Sequence, residues 1–161
     1  MFLPEDKWSP RYETQFYTIR MKNYIIINSP AELGIDSIFG QSDDDNCSLF
    51  GICNKSNKTF PAVYYEIEVL CGTKQHTILR RYSQFDALCK GIDSNNNMNN
   101  IRNTLPSKNI TISTLFHKLP NDDFLNKRMV GLYNFMTKLL VRQECVNNPL
   151  VSQFLELNTE G

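Results

Sequence analysis

The hydrophobic positions of this chain change period abruptly at one place. Thr77, Leu79 and Arg81 share one face of a two-residue alternation, whereas from Ser83 onward Phe85, Leu88, Cys89 and Ile92 recur at helical spacing. The spacing predicts a strand that ends, and a helix that begins, within Leu79-Arg80-Arg81-Tyr82-Ser83-Gln84-Phe85. Ser83 followed three residues later by Asp86 has the form of a capping box, which would start the helix at Ser83. Upstream, Val63, Tyr65, Ile67, Val69 and Cys71 alternate with Glu66 and Glu68 as a half-buried strand does. Gly72-Thr73 then supplies a two-residue hairpin turn with glycine first, which makes Arg81 the end of the last strand of a small antiparallel sheet. The β-branched run Tyr24 to Asn28, stopped by Ser29-Pro30, predicts the first strand. The weakly patterned residues before it read as an extension packed on the domain.

Beyond the first helix, expected to stop near Gly91, the run from Asp93 to Asn103 is rich in asparagine and reads as a loop-like excursion. Leu105-Pro106-Ser107-Lys108 follows. Next comes a segment in which Ile110, Ile112, Leu115 and Phe116 lie between Lys108, His117 and Lys118. A helix is expected after Pro120, with Asn121 as its cap, Asp122 and Asp123 in its first turn, and a core stripe of Leu125, Met129, Leu132, Phe135, Met136, Leu139 and Leu140. Asn148-Pro149 opens a last helix whose buried side is Leu150, Val151, Phe154, Leu155 and Leu157. The pattern as a whole predicts an α+β domain, a three-stranded antiparallel β-sheet packed against a helical subdomain. It spans residues 24–157, with an N-terminal extension at 1–23, polar insertions at 34–61 and 93–103, and a tail at 158–161.

Composition narrows this little. With 161 residues, 41% hydrophobic and 21% charged, the chain suits one globular domain. No apolar run approaches the roughly 18 to 20 residues of a membrane span. Glu5, Asp6 and Lys7 interrupt the amino end where a secretory signal would be apolar, so a cytoplasmic location is expected. Cys47, Cys53, Cys71, Cys89 and Cys145 are odd in number and widely spaced, and His76 and His117 lie far apart, which indicates neither a disulfide framework nor a metal site. The formal net charge is zero, yet Gly72 to Arg142 holds eleven basic and four acidic residues, an excess of seven positive charges. Any attraction to anionic surfaces therefore belongs to the second half of the chain.

The candidate chemistry lies at the change of period. A helix start presents unpaired N–H groups and a partial positive charge, and an arginine fork beside it can grip two phosphate oxygens. An anion pocket and a pair of solvated charges on a strand end are both compatible with Arg80 and Arg81 taken alone. Neither Cys89 nor His76 has a recognisable catalytic partner, so a binding module rather than an enzyme is expected. The bases are spread through a fold instead of clustering with aromatics, which argues against nucleic acid.

Four landmarks in this order, RRYSQF, LPSK, K-R-x-x-x-L-x-x-F-M and the closing S-x-x-F-L-E-L, resemble the phox-homology (PX) domain, the phosphoinositide-binding module of sorting nexins. The likeness runs from about Tyr24 to Leu157. It implies the fold proposed above and assigns roles for phosphatidylinositol 3-phosphate. Arg81 would hold the 3-phosphate, Ser83 would lie at the helix start supporting it, and Tyr82 would pack on the inositol ring. Lys108 would contact the 1-phosphate, and Arg128 the 4- and 5-hydroxyls. By strand alternation Arg80 faces away from Arg81 and is expected to pair with Glu66 or Glu68. Ile110, Ile112, Leu115 and Phe116 fit either insertion into a membrane or packing into the core. The resemblance implies recruitment to endosomal or vesicular membranes, with trafficking-complex proteins as further partners and no cofactor. The alternative is a protein-interaction module of the same type with weak or non-selective lipid binding. One departure is Asn103, which replaces the first proline of the family's P-x-x-P-x-K turn and argues against recognition by polyproline-reading domains.

Overall fold

The computed structural model describes residues 10–12, 15–28, 61–96, 99–108 and 120–157. Four strands in the order β1-β2-β3-β4 form one antiparallel sheet: β1 (Arg11–Tyr12), β2 (Gln15–Ile27), β3 (Ala62–Cys71) and β4 (Lys74–Arg81). The helices are α1 (Tyr82–Asn96), α2 (Asn99–Arg102), α3 (Asp122–Leu140), α4 (Gln143–Val146) and α5 (Pro149–Leu155). The class is α+β as expected, with a two-residue strand added at the sheet edge. Residues 34–60 of the expected connection at 34–61, the tail at 158–161 and the apolar residues Ile110, Ile112, Leu115 and Phe116 lie outside the described residues.

The first long strand begins at Gln15, well before Tyr24, so the sheet crosses the expected boundary between extension and domain without a break. A β-bulge hides it in the sequence. Pairing passes from Met21↔Ile67 to Asn23↔Glu66, leaving Lys22 as the extra residue. Before the bulge Tyr17 and Ile19 are buried in the main core, with Met21 packed against it. After it the alternation is inverted, so that Tyr24 packs against that core while Ile25 and Ile27 join a second cluster with Ala62, Tyr64 and Leu79. Two cross-strand rows result. Tyr24, Tyr65 and Arg80 lie side by side on the helical face, and Ile25, Tyr64 and Arg81 on the outer face.

The β3–β4 hairpin is the one read from Gly72-Thr73. Gly72 has φ +58°, which the first central position of such a turn requires. On the helical face Phe85, Leu88, Cys89 and Ile92 of α1 pack with Leu132, Phe135, Met136 and Leu139 of α3 and Val151, Phe154 and Leu155 of α5. Asn121 caps α3 by accepting from the Phe124 N–H at 3.0 Å, and Asn148 caps α5 by accepting from the Leu150 N–H at 2.9 Å. The asparagine-rich run is not the loop expected: α1 continues through Gly91 to Asn96, and Ile101 of α2 is buried in the main core. Ile101 gives this largely polar run a buried apolar anchor, and packing outweighs the low helix propensity of asparagine.

Arg80 is 2% exposed. Its partner is Glu156, at 2.9 Å, and not Glu66 or Glu68; Glu68 instead meets Lys22 at 2.9 Å. The strand alternation that separates Arg80 from Arg81 also carries Arg80 away from the glutamates of β3 and under α5. There its Nε and Nη2 both donate to the Phe154 carbonyl, the former at 2.9 Å. Burial pulls the guanidinium below its ordinary pKa, and Glu156 offsets part of that. His76 Nε2 donates to the adjacent Leu155 carbonyl at 2.9 Å. Together these donors satisfy carbonyls at the end of α5, where Glu156 adopts a left-handed φ of 54° and the Leu157 N–H returns to Ser152 O at 3.0 Å. Glycine usually fills such a position, because other residues pay roughly 1–2 kcal/mol there. Here the glutamate carboxylate answers the buried Arg80, which offsets that cost.

Replacing Arg80 by alanine removes its donors from the Phe154 carbonyl and its ion pair with Glu156 and should lower unfolding stability by about 3 kcal/mol in urea titrations. Arg80→Lys should recover little of this, since an ammonium cannot reproduce the two parallel donors. Wild-type stability for the lysine variant would refute the arrangement.

Candidate functional site

No residue separates β4 from α1: Arg81 ends the strand and Tyr82 begins the helix. The capping box expected at Ser83 and Asp86 is therefore displaced by two residues. Gln84, in the third helical position, reaches back to accept from the Arg81 N–H at 2.7 Å, the side-chain half of a capping box centred on Arg81. Asp86 instead pairs with Lys90 one turn on, at 2.7 Å. Ser83 Oγ is buried and makes no hydrogen bond among the described residues. No acidic side chain lies in the first turn of α1, so the positive end of its dipole is not offset by a carboxylate there.

Arg81 is half-buried at this junction, with its guanidinium 5.7 Å from the ring centre of Tyr64, its cross-strand neighbour. Tyr82 leaves on the helical side, where its hydroxyl donates to the Pro106 carbonyl. Arg128, on the second turn of α3, lies over the Tyr82 ring at 4.6 Å and the Phe124 ring at 4.4 Å, and its Nη2 donates to Ser107 O at 3.4 Å. The structure thus joins Tyr82, Arg128 and the Pro106–Lys108 turn through side chains. Arg81 is connected to that group through the peptide it shares with Tyr82, and Lys108 is exposed at the end of the turn.

Two tyrosines complete the surroundings. Burial pushes the Tyr65 hydroxyl up to about 12, with Arg128 beside it pulling the other way. Tyr24 donates to Asp122 Oδ1 at 2.9 Å, a bond that raises its pKa and links β2 to the start of α3. Neither tyrosine stands out in the sequence as a site residue, nor do Tyr64 and Phe124. Tyr65 shows only as one more apolar position of a strand, and the role of Tyr24 depends on the bulge at Lys22. Phe124, four residues before Arg128 on the same helix face, had a legible signal in its spacing. Chemically, the arrangement offers two guanidiniums, a helix N-terminus without an acid and an exposed ammonium, flanked by aromatic faces. Such a set suits a ring that carries phosphates and hydroxyls.

A family model described as PX domain matches residues 69–158. No curated protein sequence matches the chain significantly. Solved structures share the fold, among them two PX domains. A designed CISK-PX domain has a TM-score of 0.57 at 19% identity, covering 86% of this chain and 98% of that one. The mouse SNX19 PX domain with bound sulphate ion has a TM-score of 0.56 at 18% identity, covering 89% and 99%. At such identities these two similarities concern the fold alone.

The contact between Arg128 and the Tyr82 ring should appear as coupling in a double-mutant cycle. Tyr82→Ala and Arg128→Ala, alone and combined, should give an interaction of about 0.5–1 kcal/mol in unfolding free energy. Tyr82→Phe, which keeps the ring and deletes only the bond to Pro106, should cost about 1 kcal/mol. Strict additivity of the two alanine variants would mean that the contact contributes nothing.

Proposed function

Since this chain belongs to the PX-domain family, whose members bind phosphoinositides in membranes, we propose that it is a recruitment module selective for phosphatidylinositol 3-phosphate. The observation that carries this reading is the meeting of three motifs far apart in sequence: Tyr82 of RRYSQF on Pro106 of LPSK, and Arg128 of α3 on both Tyr82 and Ser107. Arg81 takes the 3-phosphate at the start of α1, with the first-turn N–H groups, that of Ser83 among them, in support. Tyr82 presents its ring to the inositol, and Lys108 meets the 1-phosphate where the headgroup joins its lipid. Arg128, held between Tyr82, Phe124 and Ser107, donates to the 4- and 5-hydroxyls and leaves little room for further phosphates.

Three modest contributions then add. A charge-assisted headgroup bond is worth roughly 1.5–3 kcal/mol, and each nearby base adds about 1 kcal/mol at an anionic leaflet. Ile110, Ile112, Leu115 and Phe116, which follow Lys108 directly, supply the third contribution by entering the bilayer interface. No helix among the described residues is long and apolar enough to cross a membrane, and attachment on this reading is peripheral, at endosomal or vesicular membranes. Proteins of a trafficking complex are the partners it implies.

Liposome co-sedimentation over a phosphoinositide panel tests the reading. Binding should be strongest with phosphatidylinositol 3-phosphate and should fall by about 10- to 100-fold in Arg81→Gln, the loss of one charge-assisted contact. Equal binding to every anionic liposome would reduce the site to general electrostatics, and no binding to any would favour a protein-interaction module. Replacing Leu115 and Phe116 together by serine should weaken liposome binding while leaving affinity for the soluble headgroup within about 2-fold, because the apolar term needs a bilayer. An equal fall in both would make these residues part of the core.

A further inference from the structure

A glycine in the interior of a helix is unfavourable, since it orders a flexible backbone and packs no side chain. Gly131 occupies such a place, at the middle of α3, one turn beyond Arg128. A methyl group there would stand 2.6 Å from Pro106 Cγ and 3.3 Å from its Cβ. The first distance is about 1 Å short of ordinary carbon–carbon contact. The obstacle is not the end of a flexible side chain that can swing aside. A proline ring is bonded to its own backbone nitrogen, so beyond a change of ring pucker, relief requires the chain of the turn itself to move.

That turn is held at the places on which the headgroup reading depends. The Pro106 carbonyl accepts from Tyr82, and the next carbonyl, of Ser107, accepts from Arg128. Lys108 follows immediately. We infer that Gly131 is a positioning residue of the headgroup site: its bare backbone is the seat on which the Pro106 ring rests, and this seat sets how far the Lys108 turn stands from Arg128 and Tyr82. The ring fixes the height of the turn, and the two carbonyl bonds fix its direction. With a side chain at 131 the turn lifts, both carbonyl bonds lengthen, and Lys108 is carried away from the ring-binding group. The affinity part of the inference rests on the headgroup reading above, whereas the seat itself stands on packing.

The test uses the full chain in four forms: wild type, Gly131→Ala, Pro106→Ala and the double variant. Three quantities are measured: amide chemical shifts of Tyr82, Ser107 and Lys108, the melting temperature, and calorimetric affinity for soluble short-chain phosphatidylinositol 3-phosphate. In Gly131→Ala the three amides should shift, affinity should fall by about 10-fold, and the melting temperature should drop although alanine is the better helix former. In the Pro106→Ala background the same substitution should leave affinity unchanged and raise the melting temperature, because the ring it would strike is gone. A single Gly131→Ala variant that melts higher than wild type with unmoved amides would overturn the seat. Shifted amides with unchanged affinity in a wild type that binds would overturn its role in the site. If the wild type binds no phosphoinositide, the headgroup reading fails with the affinity claim, while shifts and melting temperatures still decide the seat.

Discussion

The structure depends on the absence of a linker between β4 and α1. Consecutive strand side chains point to opposite faces, and the first helical residue turns the chain out of the sheet, so three adjacent residues leave in three directions. Arg80 goes beneath α5, Arg81 stands over Tyr64 on the outer face, and Tyr82 reaches α3 and the Pro106 turn. Lengthening the junction by one residue would exchange these destinations. The core at the C-terminal helix and the candidate site are thereby set by a single backbone event.

The two arginines show how position decides what a charge does. At Arg80 the guanidinium is out of water, and it is tolerable only because the Phe154 carbonyl at a helix end, the Leu79 carbonyl of its own strand and one carboxylate surround it. Such an arrangement is costly to break from either side and therefore specifies how α5 docks. Arg81 keeps part of its hydration and lies by a helix start whose first turn carries no acid. It is suited to an anion that arrives from solution. Arg128 is intermediate, its guanidinium lying over the rings of both Tyr82 and Phe124, which hold its fork in place.

The bulge at Lys22 joins the fold to the site. By inverting the alternation of β2 it brings Tyr24 beside Tyr65 on the helical face and Ile25 beside Tyr64 on the outer one. The helical row is tied to α3 through Asp122 and lies next to Arg128, and the outer row supports Arg81. One inserted residue in a strand thus puts Tyr24 on the face where it reaches Asp122 of α3.

Much was legible in the chain alone wherever a local rule operates within a few residues. The hairpin at Gly72, the caps at Asn121 and Asn148, the core stripes of α1 and α3 and the opposite facing of Arg80 and Arg81 all follow from period and side-chain chemistry. The partner of Arg80 was not legible, because Glu156 is 76 residues away and is brought there only by packing of the last helix. Nor was the helical course of the asparagine-rich run, which has poor propensity and is held by the burial of Ile101. The sequence by itself determined which residues carry charge, where the period changes, and hence the order of strands and helices. Tertiary structure decided which of those charges meet and how closely the Pro106 turn lies on α3. Contacts between distant segments depend on the packed volume between them, which no local spacing records.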